Sequence, residues 1–202
     1  PVHFRGPSLA HPGRSLLHPS LPTVLRLASK PLVLSHINYL RSQSIASPLY
    51  RIGVGQDSKD VTKYIISIGQ GGTTLPDRDY YLKNDARSTK IRTDYSLYIS
   101  KLFSLCGVEN YKALANAATI MQIETALAGA QLSRVEMRDT NKLYNKFSVA
   151  GLSAKTPNLI WQDILPQLGY KPKQDSLIVS TPTLMVFIDS LLGAVPLQDW
   201  KV

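Results

Sequence analysis

Histidine disappears from this sequence after His36, cysteine occurs once, at Cys106, and only three glutamates are present, Glu109, Glu124 and Glu136. Each scarcity removes a class of chemistry. A single cysteine excludes an internal disulfide framework and any multi-cysteine metal site. Nucleophilic catalysis by Ser or Cys wants a histidine base, which the body of the chain lacks. A helical His-Glu-x-x-His site, which would supply two zinc ligands and the base that deprotonates bound water, is absent for the same reason. No glutamate is followed four residues later by Asp. No apolar run approaches the roughly 18 residues of a membrane span. No catalytic, cofactor-binding or metal-binding residue is therefore assigned.

Acid is missing from the first 56 residues, which hold six of the 23 cations and none of the 14 acids, so residues 57–202 carry only +3 of the net +9. Most of the basicity thus belongs to a leader, and nucleic-acid binding would rest on six unopposed cations without regularly interleaved aromatics, which disfavours it. The first 36 residues also contain all four histidines (His3, His11, His18, His36) and six of the thirteen prolines. Intervals of 8, 7 and 18 residues between the histidines match no compact ligand pair. Prolines 1, 7, 12, 19, 22 and 31 interrupt helices, so residues 1–36 are expected to be disordered or not part of the domain. As a signal peptide the stretch fails, because Pro22, Arg26 and Lys30 break its apolar part.

Regular patterns begin after Asn38. Leu49–Val54 and Tyr64–Ile68 read as short strands joined by a polar connection over Gly55–Lys63, a small hairpin, with Gly69, Gly71 and Gly72 supplying the exit turn. From Ser88 to Cys106 the apolar residues Ile91, Tyr95, Tyr98, Ile99, Leu102, Phe103 and Cys106 follow one helical face. Gly107 ends that helix, and Cys106 reads as an inert core thiol. A second long pattern, from Tyr111 to Gln131, is rich in alanine, which permits close helix packing. Ser133 and Glu136 have capping-box spacing. Thr156–Pro157 and Thr181–Pro182 each read as a cap before a first-turn proline, with Gly169 and Gly193 as the stops. Leu177–Val179 reads as extended. The fold expected is mainly α with a small β-hairpin: a multi-helix domain fragment over 38–202.

The string DSKDVTKYIISIGQGGTTLPDRDYYL, Asp57 to Leu82, resembles the neprilysin and endothelin-converting-enzyme family of zinc metallopeptidases, in which a Gln-Gly-Gly type turn leads to Leu-Pro-x-Arg-Asp-Tyr-Tyr. Gln70, Gly71, Gly72, Leu75, Pro76, Arg78, Asp79, Tyr80 and Tyr81 stand where that pattern wants them. The likeness continues through Glu124 with Ala128, Arg138 and Asp139 before Tyr144 and Asn145, Trp161 after Pro157, and the closing PLQDWK. Thr73 and Thr74 depart from the family's Leu-Gly, with a consequence expected to be local. The resemblance implies a parent that is a zinc endopeptidase or oligopeptidase acting on peptides outside the cytoplasm. In that family this helical region caps the catalytic domain and restricts access to a central cavity.

Several residues have a functional and a plainer reading. Arg78 beside Asp77 and Asp79 suits a substrate carboxylate or, as preferred, a local ion pair holding the loop. Tyr80 and Tyr81 suit a cleft lining or, as preferred, anchors packed on the core. The glycines at 69, 71 and 72 lack the following Lys-Ser or Lys-Thr of a phosphate cradle. For the whole chain the leading expectation is a non-catalytic peptidase fragment whose partner is a missing catalytic domain of the same protein, with zinc only in the full-length parent. Its consequence is an exposed apolar surface. The alternative is a stand-alone helical module that binds peptides or proteins. The isolated chain is expected to leave a fluorogenic short peptide uncut with zinc added; chelator-sensitive cleavage would contradict this.

Overall fold

The structure, a computed structural model, describes Val24 and residues 26–44, 48–170 and 175–202. His3, His11 and His18, and the prolines up to Pro22, lie outside these residues. Residues 30–36, set apart by composition, instead open helix α1 (Lys30–Ser42), which buries Val33, Leu34 and Asn38. Pro31 occupies its first turn, where no amide donor is required. Asn38 donates to Gln167 Oε1 at 3.0 Å, tying α1 to the helix that carries Gln167. The compositional boundary therefore falls inside a packed helix.

The hairpin is present and longer than the alternation suggests. Strands β1 (Tyr50–Asp57) and β2 (Asp60–Gln70) pair antiparallel, Tyr50 opposite Gln70 and Val54 opposite Ile66. Most of the Gly55–Lys63 connection is thus strand, because the reversal takes only Ser58 and Lys59. Asp57 permits so tight a turn: its buried carboxylate accepts from Lys59 N–H at 3.0 Å and from the Tyr144 hydroxyl at 3.0 Å. The hairpin is half of a mixed four-stranded sheet of order β1-β2-β4-β3. Strand β4 (Ser176–Val179) runs parallel to β2, Ile66 opposite Leu177, and β3 (Lys146–Ser148) runs antiparallel to β4.

Around the sheet lie α2 (Asp79–Leu82), α3 (Ala86–Leu105), α4 (Asn110–Ala130), α5 (Thr140–Leu143), α6 (Val149–Lys155), α7 (Trp161–Gln167) and α8 (Pro182–Ala194). Asp85 caps α3, accepting from Ser88 N–H at 2.9 Å. The α3 stop is a Schellman turn: Gly107 at φ +85 lets Val108 N–H reach Phe103 O at 3.0 Å and Gly107 N–H reach Ser104 O at 3.0 Å. The core joins Tyr50, Ile66, Ile68, Leu177 and Val179 of the sheet to Leu127, Leu152, Trp161, Leu184 and Ile188. Trp161, fully buried, donates to Thr156 Oγ1 at 2.9 Å.

Two helix boundaries differ from expectation. Thr156 spends its hydroxyl on Leu152 O and on Trp161, and Pro157 starts no helix. The chain instead turns to bring Asn158 N–H and Leu159 N–H onto the buried Asp189 carboxylate, at 2.7 and 3.1 Å, and α7 begins at Trp161. Gly193 lies within α8 and does not end it.

Of the three glycines expected to form the exit turn, Gly69 lies within β2, and Gly72 alone has a positive φ, +85. Its packing is tighter still. A Cβ there would stand 2.4 Å from Leu49 N and 2.6 Å from Leu49 Cα. Leu49 is itself left-handed, φ +71, in a γ-turn closed by Tyr50 N–H to Pro48 O at 3.0 Å. Arg41 holds this turn from α1, donating to Pro48 O at 2.8 Å and Tyr50 O at 3.1 Å while its guanidinium lies 4.4 Å from the Tyr50 ring centroid. In urea unfolding, Gly72→Ala is expected to cost ~3 kcal/mol or more, from backbone overlap added to positive-φ strain. Gly107→Ala, with the same φ but open space, is expected to cost about 1–2 kcal/mol. Equal costs would show that the close approach to Leu49 does not matter.

Candidate functional site

The motif segment Gln70–Leu82 crosses between the sheet and the α3–α4 pair, and Glu124 holds it there. Glu124 is buried on α4 with no ion pair among the described residues. Three hydroxyls satisfy it: Tyr81 of α2 at 2.5 Å to Oε2, Thr74 of the loop at 2.7 Å and Tyr95 of α3 at 3.2 Å, both to Oε1. Tyr81 also accepts Leu75 N–H at 2.9 Å. Burial, then the bond to Glu124, pushes the Tyr81 hydroxyl well above the ordinary phenol range. Burial, with the Glu124 charge behind it, pushes Tyr95 up to about 12. Tyr81 is thus the anchor expected of it. The departure at Thr74 adds a third donor to this carboxylate.

Beside the carboxylate a cleft of about 450 Å³ opens between α3 and α4, walled by Tyr95, Tyr98, Ile99, Leu102, Phe103 and Ile120. The helical face read from the sequence is therefore real, but only Ile99 of its apolar members is buried. On α4 the small side chains Ala113 and Ala117 are fully buried, whereas the larger Tyr111 and Leu114 beside them stay exposed. Tyr98 and Leu102 stand exposed, as do Leu105 at 71% and Tyr111 at 66%. Cys106 lines the cleft and is exposed, so the core-thiol reading is corrected: the face that carries it has no cover among the described residues.

On the other side of the same segment lies a groove of about 380 Å³ between the Gln70–Arg78 and Gln131–Arg138 stretches. Gln70 clamps Leu132 by both backbone groups, at 2.9 and 3.1 Å, and Gln131 Nε2 donates to Gly71 O at 2.9 Å. Arg78 does not pair with its flanking aspartates. It donates to Gln131 O, while Asp77 pairs with Arg134 and Asp79 with Lys83. Arg134 had no sequence signal, since its partner lies 57 positions away.

The remaining candidates stand apart from one another. Glu136 and Ser133 form the reciprocal capping box, and the Ser133 N–H and Lys142 hold its carboxyl near a pKa of about 2. Glu109 is an exposed partner of Lys112. His36 sits on α1 beside Tyr39. Among the described residues no three His, Cys, Asp or Glu side chains group to hold an ion, and both Glu124 oxygens are taken by hydroxyls. Among the described residues, too, no helix is long and apolar enough to cross a membrane.

Residues 17–202 match the model of peptidase family M13, a match that begins inside the compositionally distinct stretch. Endothelin-converting enzyme-like 1 of Homo sapiens is 29% identical over 155 residues, 75% of this chain and 20% of that protein. Endothelin-converting enzyme 1 of Homo sapiens is 33% identical over 125 residues, 61% of this chain and 16% of that protein. Zinc metalloprotease Zmp1 of Mycobacterium tuberculosis, solved in complex with an inhibitor, has a TM-score of 0.84 at 29% identity over 90% of this chain and 28% of that one. The chain spans about a fifth of the length of the curated relatives it matches.

The tyrosine cluster makes stability fall at alkaline pH. The folded chain keeps the Tyr81 and Tyr95 protons while the unfolded chain loses them near the ordinary value of 10.0, so stability is expected to drop from there through about 12, where Tyr95 titrates, with Tyr81 carrying the decline further. Tyr81→Phe is expected to cost about 1–3 kcal/mol at neutral pH and to flatten that decline in urea titrations at stepped pH. An unchanged slope would show that Tyr81 is not the group responsible.

Proposed function

The chain belongs to peptidase family M13, and from that premise we propose that it is a non-catalytic N-terminal portion of a zinc metallopeptidase, restricting access to a central cavity so that short peptides enter and larger chains do not. The observation that carries this reading is the uncovered α3–α4 face. A cleft walled by Tyr98, Leu102 and Phe103, with Leu105 and Tyr111 exposed near it, is the surface a packed neighbour covers rather than the finish of a free domain. The cover is the remainder of the same peptidase, which also supplies the zinc ligands and general base. Zmp1, a zinc metalloprotease, contains the same fold within a chain of which this one covers 28%. As for its relatives' location, the family resemblance points outside the cytoplasm.

The α3–α4 helices suit the role. Asp85 and the Gly107 turn fix the ends of α3, Glu124 ties α3 to α4 through Tyr95, and what is left over is the apolar outer face. Substitution there leaves the isolated chain intact, because exposed positions contribute within about 0.5 kcal/mol to stability.

The test is reconstitution. Co-expressed with the rest of the parent polypeptide as a separate chain, this chain is expected to restore zinc-dependent cleavage of a short peptide but not of an intact unfolded protein. Leu102→Asp with Leu105→Asp is expected to weaken the association by about 2 kcal/mol or more while leaving the isolated chain's thermal unfolding unchanged. Equal cleavage of the protein and the peptide would overturn size selection. Full association by the double variant would overturn docking through this face.

A further inference from the structure

We propose that the groove between the Gln70–Arg78 and Gln131–Arg138 stretches is a binding site for peptide carboxylates. Three guanidiniums, Arg78, Arg134 and Arg138, line it against one carboxylate, Asp77, which is already paired with Arg134. Arg78 spends one nitrogen on Gln131 O. Arg134 meets Asp77 through Nε, so its outer nitrogens stay open. The Arg138 guanidinium, exposed, has no hydrogen bond or ion pair among the described residues. The groove therefore carries a surplus of two positive charges, with planar forks of the geometry that grips a carboxylate by two parallel bonds.

The walls are fixed. The two-bond clamp of Gln70 on Leu132, at 2.9 and 3.1 Å, and the Gln131 bond to Gly71 O at 2.9 Å lock one stretch to the other, so the cations need little rearrangement to bind. The nearby acids are engaged elsewhere: Asp79 with Lys83 at 2.7 Å and Glu136 with Lys142 at 2.9 Å. Among the described residues no aromatic side chain lines the groove, so these offer no platform for stacked bases. Its volume of about 380 Å³ suits a few residues of an extended segment. The site lies across the Gln70–Leu82 segment from the α3–α4 cleft and does not depend on how that cleft is covered.

Fluorescence anisotropy on the full 202-residue chain at low ionic strength tests this, using two labelled probes. One is a glutamate-rich peptide amidated at its C-terminus, and the other an uncharged peptide with a free C-terminal carboxylate. Binding of the first only assigns the groove to acidic side chains, and binding of the second to chain ends. Arg138→Gln is expected to weaken whichever probe binds about tenfold, the loss of one charge-assisted pair, and to leave thermal unfolding unchanged. Lys101→Gln, an exposed change of equal charge on α3, is expected to leave binding unaltered. Two results would overturn the proposal: neither probe binding, or Lys101→Gln costing as much as Arg138→Gln, which would assign the attraction to overall charge.

Discussion

A single buried carboxylate sets the spacing on which the rest of this structure depends. Glu124 lies in the interior with no ion pair among the described residues, and a carboxyl group there is tolerated only when its oxygens are engaged. The engagement comes from three separate pieces of chain: Thr74 in the loop, Tyr81 in α2 and Tyr95 in α3. Helix α2 is only four residues long and cannot persist by its own hydrogen bonds. Its place is held by Tyr81, whose hydroxyl joins Glu124 to Leu75 N–H. Because the Gln70–Leu82 segment is pinned at this point, it has two usable sides, the apolar cleft and the arginine groove.

The two halves of the molecule are stabilised differently. The sheet, α7 and α8 close around large side chains, with Trp161 and Tyr50 in ring contact at 5.6 Å and Asp189 tying the turn before α7 to α8. The α3–α4 pair instead buries small side chains such as Ala113 and Ala117, while Tyr98, Leu102, Leu105 and Tyr111 stand exposed. Small residues at a helix contact permit close approach but bury little area, about 25 cal/mol for each Å². That contrast is why the outer face of α3 reads as an interface and not as a finished surface.

Much of this was legible in the amino-acid order. The long helices, the hairpin, the Gly107 stop and the Ser133–Glu136 box all follow from local periodicity and turn chemistry, and the Leu-Pro-Asp-Arg-Asp-Tyr-Tyr string pointed to the right family. What was not legible depends on partners distant in sequence. Strand β3 is three residues long and owes its existence to β4, which in turn pairs with a strand more than 100 positions earlier. Thr156–Pro157 has the form of a helix start, yet Asp189 takes the amides that a helix would have used. Periodicity locates the apolar face of α3 but not what lies against it, so it cannot tell the exposed Cys106 from a core thiol. Composition likewise obscured α1, whose proline sits where a helix tolerates it.

That uncovered face gives the most direct test of the account, because Cys106 is the chain's one thiol and lies within it. Alkylation of Cys106, followed by mass spectrometry of the peptide that contains it, should be compared between the isolated chain and the full-length parent. The account predicts rapid modification in the isolated chain and strong protection in the parent. Equal rates in both would mean that the α3–α4 face stays open in the intact protein, contradicting its role as the surface on which the rest of the peptidase packs.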